Sequence, residues 1–285
     1  MSATKIIKSI FPGLLLISIS SCNQLPYASP KGYDLHLPQK IVLKSKLHEI
    51  SGIAFVGNDY NKFYSINDED GILFEFNRSN KKYAEYNFGK KGDYEDLTVW
   101  KNKYMFILRS DGAIYKFPVS QIGKTNIDSV KTYKHILPPG EYEGLYADKD
   151  GRIMALCKHC DDDVKKSKIS MYILLLNEND ELIKDSHVEI DLSSLPDLTK
   201  KKKERFKPSA LAQHPISGDW YIVSSVNKML VVMDQQWKIK EAYNFVPHLF
   251  SQPEGLAFDS TGNMYISNEG KEGTDGNILV LKYTK

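Results

Sequence analysis

The apolar positions of this chain fall in short runs, each a few residues long, with none of the long 3.6-residue periodicity of helices. Five runs open on one motif: Glu or Ser, then a small residue or Asp, then Leu or Ile. The copies are Ser51-Gly52-Ile53, Glu95-Asp96-Leu97, Glu143-Gly144-Leu145, Ser209-Ala210-Leu211 and Glu254-Gly255-Leu256, at spacings of 44, 48, 66 and 45 residues. Two more strand-like runs follow each copy, such as 62–66 and 72–76 after the first and 104–108 and 113–117 after the second. Clusters of Gly, Asp, Asn and Ser separate them, as tight turns require. A fourth, more polar run closes most copies, for example 82–88 and 240–245.

Repeats of about 45 residues holding four short strands each predict a β-propeller. The gradient within a copy agrees with this, because only the outer edge of a radial blade meets water. The last copy ends with three strands, and residues 40–47 form a strand-like run ahead of the first copy. Pairing these two segments would complete the last blade and bury two open sheet edges. The expectation is therefore all-β: a five-bladed β-propeller of four-stranded antiparallel blades over residues 39–285, closed by its N-terminal strand. The excess of the 66-residue copy is expected in loops at 158–168 and 193–206.

Ahead of the repeats the pattern changes. Lys5 and Lys8 precede a short apolar stretch at 10–19, too short to span a bilayer, which ends Ile19-Ser20-Ser21-Cys22. A branched apolar residue, two small residues and a cysteine resemble the bacterial lipobox. That resemblance implies a signal peptide over 1–21, lipidation (palmitate among the acyl chains) of Cys22, and a lipoprotein of the cell envelope, on the outer membrane in a Gram-negative cell. Residues 22–38 carry Pro26, Pro30 and Pro38 and read as an extended tether of up to about 55 Å.

Lys and Arg number 38 and Asp and Glu 36, and loss of 1–21 would remove two lysines and no acid. The near-neutral balance offers no electrostatic case for nucleic acid. Three cysteines are too few for a disulfide scaffold. Cys157-Lys158-His159-Cys160 leaves several readings open: a loop disulfide, free thiols, half a zinc site, or a redox pair. Asp161-Asp162-Asp163 and the basic run 200–203 with Arg205 read as solvated loops.

The run Pro253-Glu254-Gly255-Leu256-Ala257-Phe258-Asp259 resembles an NHL-like repeat. Together with the ordered earlier motifs and the lipobox, the chain resembles the SdiA-regulated (YjiK-like) envelope propellers over residues 40–285. That family brings no settled activity with it. More distant propellers in pattern, the lactonases, hold a divalent metal with a Glu of such a motif and with Asn and Asp of other blades. By that resemblance Glu143, Glu254 and Asn268 are candidate metal ligands, with Ca²⁺ the candidate ion.

The first motif position opens the innermost strand of each blade. Ser51, Glu95, Glu143, Ser209 and Glu254 should therefore ring the axial channel, with Arg109 and Lys158 reaching the same mouth. Carboxylates about 8 Å apart at an effective dielectric of 20 repel by roughly 2 kcal/mol per pair, so something must offset them. The ring reads as a wet structural channel, as a ligand or metal site, or as a catalytic site. The leading expectation is a monomeric module that binds a small molecule or envelope protein; the alternative is a metal-dependent lactonase- or esterase-like hydrolase.

Overall fold

The computed structural model describes residues 27–160, 163, 167–199, 205–271 and 273–284. Residues 1–26, with the signal segment and Cys22, lie outside that set, as do Asp161, Asp162 and Lys200–Lys203. Five four-stranded antiparallel sheets stand around an axis. The first four are formed by consecutive strands, with innermost strands Ile50–Ala54, Tyr94–Trp100, Gly140–Ala147 and Ala210–Gln213. The fifth contains Pro253–Phe258, Met264–Asn268 and Asn277–Leu281, and Gln39–Val42 supplies its outer strand. The chain is a five-bladed β-propeller, closed where Ile41 pairs Ile278 and Lys40 pairs Leu279.

Burial follows the radial gradient. In the first blade the innermost strand is buried throughout, while the outer strand Lys82–Asn87 buries only Tyr86. Five apolar clusters fill the five gaps between neighbouring blades. The motif Leu or Ile supplies one residue to each: Ile53, Leu97, Leu145, Leu211 and Leu256. Each such side chain contributes about 1.5–3 kcal/mol.

Three segments depart from expectation. The closing strand is shorter than 40–47: after Val42 the chain turns through a 3₁₀ segment, Ser45–Leu47, that drives Leu47 fully into the core between the fifth and first blades. Gly276 makes room, since a Cβ there would lie 2.1 Å from the Leu47 carbonyl oxygen. The long third copy uses part of its excess in long strands, including Ile153–Cys160, Lys168–Leu176 and Leu182–Asp191, so 158–160 is strand and not loop. The other excess segment holds a short helix, Leu195–Thr199.

Part of the expected tether is docked. Leu35 is fully buried, the Tyr33 hydroxyl donates to the Gly262 carbonyl at 2.5 Å, and Thr284 N–H donates to Gly32 at 2.8 Å. Two apolar side chains spaced i, i+2 give this segment one face to bury. Asp163 is likewise no solvated loop residue: it is buried and accepts from the Ser170 N–H and hydroxyl at 3.0 and 2.9 Å.

Candidate functional site

The three innermost strands that carry the motif glutamates share one local irregularity. Tyr94 pairs Arg109 and Asp96 pairs Leu108, so Glu95 is an extra residue, a β-bulge. Glu143 is skipped in the same way between Tyr142 and Gly144, and Glu254 between Pro253 and Gly255. A bulge bends the strand and re-aims its extra side chain. Three bulges at equivalent positions thus turn three carboxylates toward one end of the axial channel.

Lys158 arrives by a fourth bulge. Glu141 pairs His159 and Tyr142 pairs Cys157, leaving Lys158 as the extra residue of the second strand. Its ammonium bonds the Glu143 carboxylate and lies 3.0 Å from Glu141 Oε1. Cys157 and Cys160 bracket this bulge and are joined by a disulfide, with Cα atoms 6.1 Å apart. Three residues of regular strand would separate them by about 10 Å. Gly140 lies against the bridge, where a Cβ would sit 2.7 Å from Cys160 Sγ.

The electrostatics follow from crowding and burial. Burial first, then Glu143 and Asp93, push Glu95 up to about 10. Burial also raises Glu143, which Lys158 restrains to about 7. Glu254 is raised by burial against hydrogen bonds from the Ser225 and Ser209 hydroxyls. Glu269 is pushed to about 8 by burial and by Glu254, and Asp68 to about 6 by burial and Glu49. Burial disfavours the Lys158 cation, but Glu143 and Glu141 outweigh it and hold its pKa above the usual lysine range.

Glu95, Glu143, Glu254, Lys158 and Ser209 therefore form one electrostatic group. Ser51 is buried beside it, its carbonyl accepting from the Ser267 hydroxyl at 2.6 Å. Asn268 is fully buried; its Nδ2 reaches Asn277 Oδ1 at 3.5 Å, and its Oδ1 has no partner. Arg109, expected at this mouth, is a correction. Its guanidinium is clamped by Asp111 at 2.8 and 2.5 Å and donates to the Tyr115 hydroxyl at 3.1 Å. A carboxylate two residues on, across the same turn, outcompetes the channel. Ser225 and Lys228 carried no sequence signal; they follow the second strand of their blade, and Lys228 reaches the Ser251 carbonyl.

The fit to a hard cation is incomplete. Among the described residues, only Cys157, Cys160 and Asp163 form a group of three His, Cys, Asp or Glu side chains with ligand atoms within 4.8 Å of one another. There the two sulfurs are bonded to each other. The orphaned Asn268 oxygen suits an oxygen-seeking ion, whereas Lys158 already neutralises Glu143.

These features define an all-β propeller with an acid-lined hub. The profile of the SdiA-regulated family matches residues 27–271, and the chain belongs to that family. It is 29% identical over 168 residues to the uncharacterized protein YgeG of Escherichia coli K12, a match covering 56% of this chain and 88% of YgeG. Among solved structures it resembles a luciferin-regenerating enzyme (TM-score 0.56, 9% identity, 86% of this chain and 95% of that one). It also resembles the PQQ-bound aldose sugar dehydrogenase of Streptomyces coelicolor (TM-score 0.55, 12% identity, 90% and 100%). At such identities these likenesses establish the fold alone.

Proposed function

We propose that this chain is a lipid-anchored, monomeric envelope module, held by Cys22, that binds a ligand through a cationic group at its acid-lined channel mouth. The cation is a protonated amine of a small molecule or envelope protein, or Ca²⁺. One observation carries the reading. The half-buried Glu95 carboxylate has no hydrogen bond or ion pair among the described residues, while Lys158, the cation beside it, is divided between Glu143 and Glu141. An unpartnered carboxylate is costly to bury, so Glu95 keeps its proton past neutral pH, and an incoming cation takes the place of that proton.

Calorimetry with spermidine and with CaCl₂ at pH 8 tests it. Micromolar binding of either probe, weakened at least tenfold by Glu95→Gln, is the expected result. Unchanged binding in that variant, or no binding of either probe, overturns the reading. The unpartnered Asn268 oxygen favours a second reading, a divalent-metal hydrolase with Glu143, Glu254 and Asn268 as ligands. That reading requires lactone or ester turnover that a chelator abolishes.

A further inference from the structure

The far end of the channel holds a different kind of site. The innermost strands run away from the acidic mouth and finish around a cavity of about 800 Å³, whose walls include Phe55, Val99, Ala147, Gln213 and Phe258. That size suits a bound organic molecule. Trp237, Gln235 and Gln236 overhang the cavity on one turn.

Trp237 stands where the backbone favours glycine. Five five-residue hairpin turns among the described residues share one construction. In Arg109–Ala113, Asp148–Arg152, Asn177–Glu181, Asp234–Lys238 and Asp259–Asn263, the first N–H donates to the fifth carbonyl and the fourth N–H returns to the first. The fourth residue has positive φ in all five: Gly112 (80°), Gly151 (92°), Asp180 (57°), Trp237 (63°) and Gly262 (90°). Glycine adopts that conformation freely, whereas a bulky side chain strains it. Trp237 is thus placed for its ring, which stacks on Trp220 at 4.4 Å and 21° and is itself only half-buried.

The cavity wall also carries Lys149 and Asp150, exposed charges of opposite sign. Arg152 is bound by Asp148 at 2.7 Å. Asp259 is occupied by Thr261 and Asn263. The side-chain amides of Gln235 and Gln236 are exposed and have no hydrogen-bond partner among the described residues. A flat aromatic face beside free, uncharged amides suits a ring with apolar CH faces and hydroxyl edges.

We propose that this cavity is a carbohydrate-binding site for neutral oligosaccharides, with Trp237 as the stacking platform and Gln235 and Gln236 as hydroxyl partners. It is separate from the acidic mouth and does not depend on the function proposed for it. The test is calorimetry and tryptophan fluorescence with chitohexaose, cellohexaose and maltohexaose. At least one is expected to bind and to shift the emission. Trp237→Gly suits the turn's backbone, so the fold should persist, and its affinity should fall at least tenfold. Gln235→Ala/Gln236→Ala should lose several-fold, and Glu95→Gln should bind as wild type. Failure of all three sugars to bind, or undiminished binding by folded Trp237→Gly, overturns the proposal.

Discussion

Lys158 and Glu143 are each the extra residue of a β-bulge, on adjacent strands of one blade, and their side chains meet in an ion pair. Neither residue would reach the other from regular pairing, because each would take its place in the alternation of its own strand. The pair is well shielded, with side-chain exposures of 20% for Lys158 and 5% for Glu143. Lys158→Met strands a buried carboxylate, which costs about 3 kcal/mol. Urea denaturation at pH 8 should show that loss. At pH 5, where Glu143 takes up a proton, the loss should shrink. The same variant should bind spermidine or Ca²⁺ more tightly at pH 8, since it removes the hub's own competing cation.

The bridge between Cys157 and Cys160 holds the bulge that aims Lys158. Its ring is so short that the chain-entropy account assigns it only about 2 kcal/mol of stability. The expected effect of reduction is therefore local. Dithiothreitol, or Cys157→Ser/Cys160→Ser, should change cation affinity at the hub by several-fold while folding stability falls by no more than about that amount. Equal cation affinity in the oxidised and reduced proteins would show that the bridge does not position the lysine.

Much of the fold is legible in the chain because repetition makes it so. Ile53, Leu97, Leu145, Leu211 and Leu256 recur at blade spacing and fill five equivalent gaps, and the unpaired apolar run near residue 40 has one open edge to join. The site is less legible. That Glu95, Glu143 and Glu254 belong together is readable from the motif, but the bulges that turn them inward are set by pairing across strands. The capture of Arg109 by Asp111 depends on side-chain reach in one turn. The docking of Tyr33 on Gly262 joins residues 229 positions apart, which no local pattern announces.

The raised carboxyl groups of the hub make stability depend on pH with a definite sign. A carboxyl whose folded pKa lies above its unfolded value binds more protons in the native state. Its contribution is complete below the unfolded pKa and is lost as pH rises through the folded one. Asp68 at about 6, Glu143 at about 7, Glu269 at about 8 and Glu95 at about 10 place this window between roughly pH 5 and 10. Thermal melts without added cation should therefore show a midpoint that falls from pH 5 to pH 9. One kcal/mol corresponds to about 2–4 °C in a domain of this size, and the fall should be at least that large. Glu95→Gln should flatten the profile, and a hub-binding cation should raise the midpoint at pH 8 more than at pH 5.

Asp96 joins the second and third blades at the level of the hub and packs against the first. It is buried, and it accepts from Leu97 N–H and, across the gap to the third blade, from Leu145 N–H, both at 2.8 Å. Burial pushes its pKa well above the usual carboxylate range, against the pull of these two donors. On its other side the first blade leaves space: a Cβ on Gly52 would lie 2.2 Å from Asp96 Oδ1 and 2.8 Å from Leu97 N. The glycine and the aspartate occupy the same position in the motif of neighbouring blades, so one blade's missing side chain accommodates the next blade's strap. Asp96→Ala leaves two N–H groups unpaired and should cost about 2–4 kcal/mol in chemical denaturation. Gly52→Ala forces the carboxylate aside and should cost a similar amount. The two should be strongly non-additive, because without the carboxylate the added methyl meets only Leu97. Simple addition in the double variant would show that the glycine is needed for its own backbone and not for Asp96.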